Sequence, residues 1–343
     1  MKSKSLVAIV LLAMACPAIG VAAEEPATPK ISTVTTGLDH PVGLAIQPGS
    51  GAVFVAESGA GRVLRLTPDG AVEVIGGLPT AEVNSGGQKV KLGPLSLAFV
   101  DRSLLAVGAT AETAGKTPIR IYELPSPPNK LPADKFKHGI ALAPSEETKT
   151  TAIGNIHGLA ADGAGRLLVA SGDAGHVDRD WLGQLDVTED RAGAIKPVLG
   201  VGSKQPRAVT LSPREEWVVA QCATTDLPGR SLLVFYDPQT RKELLVLDTG
   251  LHEVTGVAYS PRTGWLYVTA VADGKGSEGG VYRLDRALVD GKPGVKAVLV
   301  TTLQRPSGLV FAPNGALYVA SLGKADTSSK ENTGSVVRLT GRL

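Results

Sequence analysis

Apolar residues in this chain come in short runs of four to six, and Gly, Pro, Ser or Asp-Gly fills the gaps between them. Residues 40–77, HPVGLAIQPGSGAVFVAESGAGRVLRLTPDGAVEVIGG, show the pattern plainly: four strands separated by three turns. A lone four-stranded sheet cannot bury both of its faces, so something must cover it. Five further copies of the unit do. First strands begin at PVGLAIQP (41), PLSLAFVD (94), IHGLAADG (156), PRAVTLSP (206), VTGVAYSP (254) and PSGLVFAP (306), spaced 53, 62, 50, 48 and 52 residues apart. Second strands follow as VFVA, LLAV, LLVA, WVVA, LYVT and LYVA, and third strands such as RVLRL, IRIYEL, SLLVFY, GVYRL and SVVRL come after loops of variable length. Six units near a 50-residue period predict an all-β chain, a six-bladed β-propeller of four-stranded antiparallel blades.

Within the first strands the third position is small every time: Gly43, Ser96, Gly158, Ala208, Gly256 and Gly308. The next position, on the other face, is Leu44, Leu97, Leu159, Val209, Val257 or Leu309. Wedge-shaped blades crowd near a common axis, and this alternation lets neighbouring sheets approach there. The sixth repeat ends at its third strand, SVVRL, while KISTVTTGL (30–38) precedes the first repeat with no sheet of its own. It is therefore expected to be the fourth strand of the last blade, closing the ring. Residues 24–343 then form a single domain. Residues 124–147, LPSPPNKLPADKFKHGIALAPSEE, are too proline-rich for a central strand and read as an irregular insertion after the third strand of blade 2, a mobile excursion or a lid.

Composition narrows the setting. Lys2 and Lys4 precede an apolar run from Leu6 to Ala15, and Val21 and Ala23 sit at −3 and −1 of a signal-peptidase site. A signal peptide (1–23) cut after Ala23 implies a secreted or periplasmic protein. A lipoprotein anchored through Cys16 is the less favoured reading, because the residue three before it is Ala13 rather than Leu. Cleavage leaves Cys222 alone in the apolar strand EEWVVAQCA, a thiol with no disulfide partner. Without Lys2 and Lys4 the chain has 33 basic against 33 acidic side chains. That balance gives no electrostatic reason to expect nucleic acid, and no later stretch has the roughly 20 apolar residues that a bilayer demands. A monomer is expected, with a small molecule, a glycan or a protein as partner.

The unit HPVGLAIQPGSGAVFVAESGAGRVLRLTPDG resembles the NHL repeat and its relatives among the SMP-30 (gluconolactonase) and streptogramin-lyase propellers; SGLVFAPNGALYVAS has the same look, and LLVFYDPQTRKELLVLDTG is similar to YVTN-type propellers. In such propellers the loops entering first strands and those joining strands two and three share the channel-mouth face. Here those loops are long (ATAETAGKTP, SGDAGHVDRD, ATTDLPGR, VADGKGSEGG, SLGKADTSSKENTG), whereas opposite-face turns such as QPGSG and APNG are short. The binding face is expected at the long-loop end.

The resemblance implies a divalent cation, Ca²⁺ or Mg²⁺, at the axis of the lactonase relatives, held by acids and amides at strand starts. The corresponding slot here holds Val42, Leu95, His157, Arg207, Thr255 and Ser307, with no carboxylate. One residue earlier stand His40, Gly93, Asn155, Gln205, Glu253 and Arg305, a single acid among them. By likeness to streptogramin lyases, which use a His with acid and Mg²⁺ support, His40, His157 and His252 with Glu253 form a candidate acid/base cluster. Channel-mouth binding candidates are thus His40, Asn155, His157, Gln205, Arg207, His252, Glu253 and Arg305. The loop Asp173, His176, Asp178, Asp180 is dense enough in carboxylates to chelate Ca²⁺ but lacks the EF-hand order, and reads first as a solvated loop. GKGSEG (274–279) matches a phosphate-loop pattern but opens no helix. GxSxG, P-loop, HExxH and CxxC motifs are all absent, and 14 aromatic residues are few for a sugar-stacking surface. The sequence thus favours a binding or interaction scaffold, with no cofactor assigned. A metal-assisted lactonase- or lyase-like enzyme is the alternative; it gains if His157, Arg207 and Glu253 converge, whereas scattered side chains or an axis plugged by Leu95 and Val42 leave the scaffold standing.

Overall fold

The computed structural model describes residues 28–343, apart from 86–87, 116, 126–128, 144–151, 174–175, 202–203, 223–229, 273–277, 290 and 324–332. The leader segment, the tips of several mouth loops and most of GKGSEG lie outside the described residues. Six antiparallel blades stand around an axis. Each runs outward from a first strand at the centre: Pro41–Ile46, Pro94–Phe99, Asn155–Ala161, Pro206–Leu211, Val254–Tyr259 and Pro306–Phe311. These six strands pack in a closed circle, the last against the first.

Closure occurs as the repeat pattern predicts. Lys30–Leu38 pairs antiparallel with Gly334–Thr340, Lys30 opposite Thr340 and Leu38 opposite Gly334, and so becomes the outermost strand of blade 6. The small third positions have the reason anticipated. A Cβ on Gly43 would fall 2.7 Å from the Leu95 carbonyl oxygen, and one on Gly308 2.5 Å from that of Val42. Leu44, Leu97, Leu159, Val209, Val257 and Leu309, on the other face, are all buried. The core is six layers, one between each pair of adjacent blades, including the layer of Leu38, Leu44, Val55 and Val336 that joins blade 6 to blade 1. Hydroxyls at the axis stitch the same seams. Ser96 donates to the Ile156 carbonyl (2.7 Å), Thr255 to that of Pro306 (2.8 Å) and Ser307 to that of Pro41 (2.6 Å), in each case at the start of the next blade's inner strand.

Three elements depart from the sequence reading. The insertion is not irregular throughout: His138–Ile140 is the outermost strand of blade 2, pairing with Ile119–Glu123, and Leu131–Pro132 pairs in parallel with the outer strand of blade 1. Tyr122 donates to the Ala133 carbonyl (2.7 Å) and meets the Phe136 ring edge-on, so the described part of this segment is held at the rim, away from the axis. Proline is tolerated because only an edge is formed. Ala81–Ser85 and Gln88–Leu92 make an extra hairpin between blades 1 and 2 on the mouth face. Finally, Gly280–Val289 and Lys292–Thr302 form a hairpin whose first strand outruns its inner neighbour: Leu284 pairs with Leu266, and five further residues project from the face opposite the mouth. Length is therefore not confined to the mouth side.

Candidate functional site

The residue before each inner strand turns the chain into the mouth. His40, Gln205 and Arg305 occupy equivalent places and all have left-handed backbones, φ 50°, 36° and 49°. Side chains with a Cβ adopt this region at a cost of order 1 kcal/mol or more, and such residues concentrate at functional sites. The geometry is enforced by hydrogen bonding. The carbonyls of His40, Gly93, Gln205, Glu253 and Arg305 accept the amides of Ser58, Thr110, Cys222, Val271 and Leu322, at 2.9–3.3 Å.

Arg207 is the hub of the mouth. Its Nη1 lies 3.1 Å from His157 Nε2, and its Nη2 lies 3.4 Å from Gln205 Oε1 and 3.5 Å from Glu253 Oε1. Three blades thus meet on one guanidinium, since His157 belongs to blade 3, Arg207 to blade 4 and Glu253 to the entry of blade 5. A guanidinium can only donate, so His157 Nε2 is the acceptor and the ring proton resides on Nδ1, where the Gly172 carbonyl receives it. Burial first, and the Arg207 charge second, hold the His157 pKa well below its usual value. The ring is neutral at physiological pH.

Two further groups lie near the hub, Asp180 buried and Cys222 partly so. Asp180 accepts the amides of Asp173 (3.0 Å) and Gln205 (3.3 Å), and burial raises its pKa to about 6 against those hydrogen bonds and the Arg207 charge. Cys222 is also close to Arg207, but burial raises its pKa further, which keeps the thiol protonated and unreactive. The channel beneath is a cavity of about 80 Å³ lined by Val42 and Leu95 on one side and His157, Thr255 and Ser307 on the other.

Of the remaining sequence candidates, His40 pairs its Nδ1 with Asp39 Oδ1 (2.7 Å) on blade 1. Asn155 accepts the Ala111 amide (2.9 Å), joining blades 2 and 3. The His252 carbonyl takes the Ser231 hydroxyl (2.5 Å). The Arg305 side chain has no polar partner among the described residues. In the acidic loop Asp173 pairs with Arg179 (2.5 Å), Asp180 turns inward, and His176 and Asp178 are exposed. Among the described residues no group of three His, Cys, Asp or Glu side chains could hold a metal ion. Glu57 escaped the sequence reading; it is buried, accepts the Asp39 amide (2.8 Å) and pairs with Arg62 (2.5 Å). A single Glu at the end of an apolar strand gives no signal for that.

The axial cation implied by the lactonase likeness does not fit these residues. The one axial imidazole has its free nitrogen engaged by a guanidinium, and two of the six axial slots, Val42 and Leu95, are hydrocarbon. A fixed positive charge stands where a divalent ion would need donors.

No family model matches the chain, and no curated protein does. Solved structures do. A protein named as a glucose dehydrogenase from Thermus thermophilus superposes with TM-score 0.60 at 18% identity, covering 91% of this chain and all of its own. The soluble aldose sugar dehydrogenase of Escherichia coli gives 0.60 at 17%, covering 92% and 100%. A protein named as a gluconolactonase gives 0.54 at 13%, covering 92% and 93%. The shared property is the fold. It extends over nearly the whole of each chain.

Proposed function

We propose that the channel mouth is an active site that opens a small oxygen-rich ester, a lactone of the sugar-acid kind, with Arg207 in the electrostatic role that a metal has elsewhere. The observation that carries this is the convergence of His157, Arg207 and Glu253 from three blades. Support comes also from the similar structures named as acting on sugars or their lactones, at a level of likeness that speaks for fold.

The chemistry needs no other component. Glu253, half-exposed beside Arg207, takes a proton from water. The resulting hydroxide adds to the lactone carbonyl carbon, and the negative charge that gathers on the carbonyl oxygen faces the guanidinium. Collapse breaks the ring C–O bond, and the departing oxygen recovers the proton from Glu253, giving the hydroxy acid. His157 is a positioning residue: neutral, it directs Nη1 of Arg207 without adding a competing charge. We prefer this reading to the pure scaffold, for which scattered side chains or an axis plugged by Leu95 and Val42 were the expectation; the side chains converge, although Val42 and Leu95 do line the channel. Export through the residue 1–23 leader belongs to the same proposal, and sequencing the mature N-terminus checks it.

The test is lactone hydrolysis by the mature protein in the presence of EDTA. Arg207→Gln and Glu253→Gln should each lower kcat by a factor of about 10²–10³, as loss of an oxyanion donor or a base does. His157→Gln should lower activity less and leave it EDTA-insensitive. Activity that EDTA abolishes, or that survives Arg207→Gln, would reject the mechanism.

A further inference from the structure

A cavity much larger than the channel lies on the other side of the molecule. It is a groove of about 1310 Å³ between blades 4 and 5, bounded by the Ser212–Glu216 turn, the outer strand Glu243–Asp248 and the projecting hairpin. Turns between first and second strands and between third and fourth strands mark the face opposite the mouth, so the groove is independent of the Arg207 site. Its floor is hydrocarbon and aromatic: Phe235, Leu247, Tyr259, Leu284 and Val295, with Trp265 at its edge, turned toward blade 6. Its lips are apolar and bare, Leu244 at 52% exposure on one side and Leu288 at 77% on the other. Exposed leucines facing each other across a cleft are not what a solvated rim needs.

The charges at the groove have one sign in excess. Arg283 is neutralised by a bidentate pair with Asp285 (2.6 and 2.7 Å) and lies on the Trp265 ring, 4.5 Å from its centroid. Glu216 takes the Ser212 hydroxyl (2.8 Å). Arg214 and Arg286 are exposed and have no ion pair among the described residues. Three guanidiniums thus stand against two carboxylates around an apolar floor. The volume exceeds the roughly 300–1,000 Å³ usual for compact small-molecule sites, which suits a long ligand better than a round one.

We infer that this groove binds a free single-chain anionic amphiphile, its alkyl chain along the Tyr259–Val295 floor beneath Leu244 and Leu288, and its carboxylate at Arg214 and Arg286. Hydrocarbon contact supplies the affinity, at about 25 cal/mol for each Å² of apolar surface removed from water. The unpaired guanidiniums select the head group.

Trp265 provides the readout. Trp181 and Trp217 are buried in the blades, so the groove tryptophan alone is placed to respond to a ligand there. Titration with laurate below its micelle concentration should shift the emission to the blue and saturate. Affinity should rise with chain length, and dodecanol should bind about tenfold more weakly or worse, as removal of a charged hydrogen bond implies. The double variant Arg214→Gln/Arg286→Gln should lose that preference for the anion, and Leu244→Glu should abolish binding, with thermal unfolding unchanged in both. No saturable shift would overturn the inference. So would equal binding of alcohol and acid, an anion preference that persists in the double variant, binding only to anionic phospholipid vesicles, or a dimer on size exclusion that Leu288→Glu separates. None of these outcomes depends on activity at the mouth.

Discussion

A single imidazole connects the mouth to the stability of the fold. His157 is neutral in the folded protein because burial and Arg207 both disfavour its charge. Its folded pKa is thus below the unfolded value of about 6.5, so between the two the unfolded chain holds a proton that the native chain does not. This contribution to stability is intact above that value and declines as the pH falls below it, by at most about 1.4 kcal/mol per pH unit. Asp180 has the opposite sign: with its pKa raised to about 6, it favours the native state as the pH falls through that value. His157→Gln should therefore flatten the loss of stability between pH 7 and 5, measured as urea midpoints; an unchanged slope would mean that the ring titrates normally. The left-handed residues offer a second check. At Arg305, φ 49°, a β-branched side chain is strongly disfavoured, so Arg305→Val should cost about 1–2 kcal/mol more than Arg305→Gly. The residues of the mouth were legible in outline, because aligning six strand starts singles out His157, Arg207 and Glu253. That they touch was not legible, since the relation depends on the angle between three blades.

Among elements, the outermost strands decide whether the ring is complete. Lys30–Leu38 covers an edge that Gly334–Thr340 would otherwise present to solvent. A chain begun at residue 41 should expose that edge, lower the unfolding midpoint and self-associate on size exclusion in a concentration-dependent way. At the opposite end of each blade, tolerance is least where backbones nearly touch. Gly308→Val puts its Cβ against the Val42 carbonyl and should destabilise by more than about 4 kcal/mol, or prevent folding, whereas Leu309→Ala should cost about 2–5 kcal/mol. The inner and second strands were readable because their alternation is repeated six times. The strand His138–Ile140 was not, since three residues after a proline-rich stretch have no periodicity of their own and gain strand character only by pairing with Ile119–Ile121. The projecting hairpin was hidden for a related reason: RLDRALVDGKPGVKAVLV alternates like any third and fourth strand, and only the shortness of its neighbour makes it protrude.

On the scale of the whole molecule, a repeat architecture whose ends join differs from an open array. Each blade is buried on both sides by one of the six apolar layers, and none is terminal. Open repeat proteins fray from their ends, with stability a sum of neighbour terms; here unfolding should be one transition observed alike by Trp fluorescence and far-UV circular dichroism. Loss of the first strand should separate those signals. The two faces divide the chemistry: polar residues converge on the mouth, and apolar surface collects on the far side around Trp265.

The pairing of Lys30 with Thr340 also imposes an order in time. A strand made early, Lys30–Leu38, completes its sheet with one made about 300 residues later, Gly334–Thr340. At roughly 5–20 residues per second, it waits for tens of seconds with one edge and both faces uncommitted. Five blades can assemble during that interval, each from contiguous sequence. The sixth cannot, and with it the last two apolar seams are complete only once Gly334–Thr340 has emerged. A nascent chain of this protein is a complete set of parts long before it is a ring.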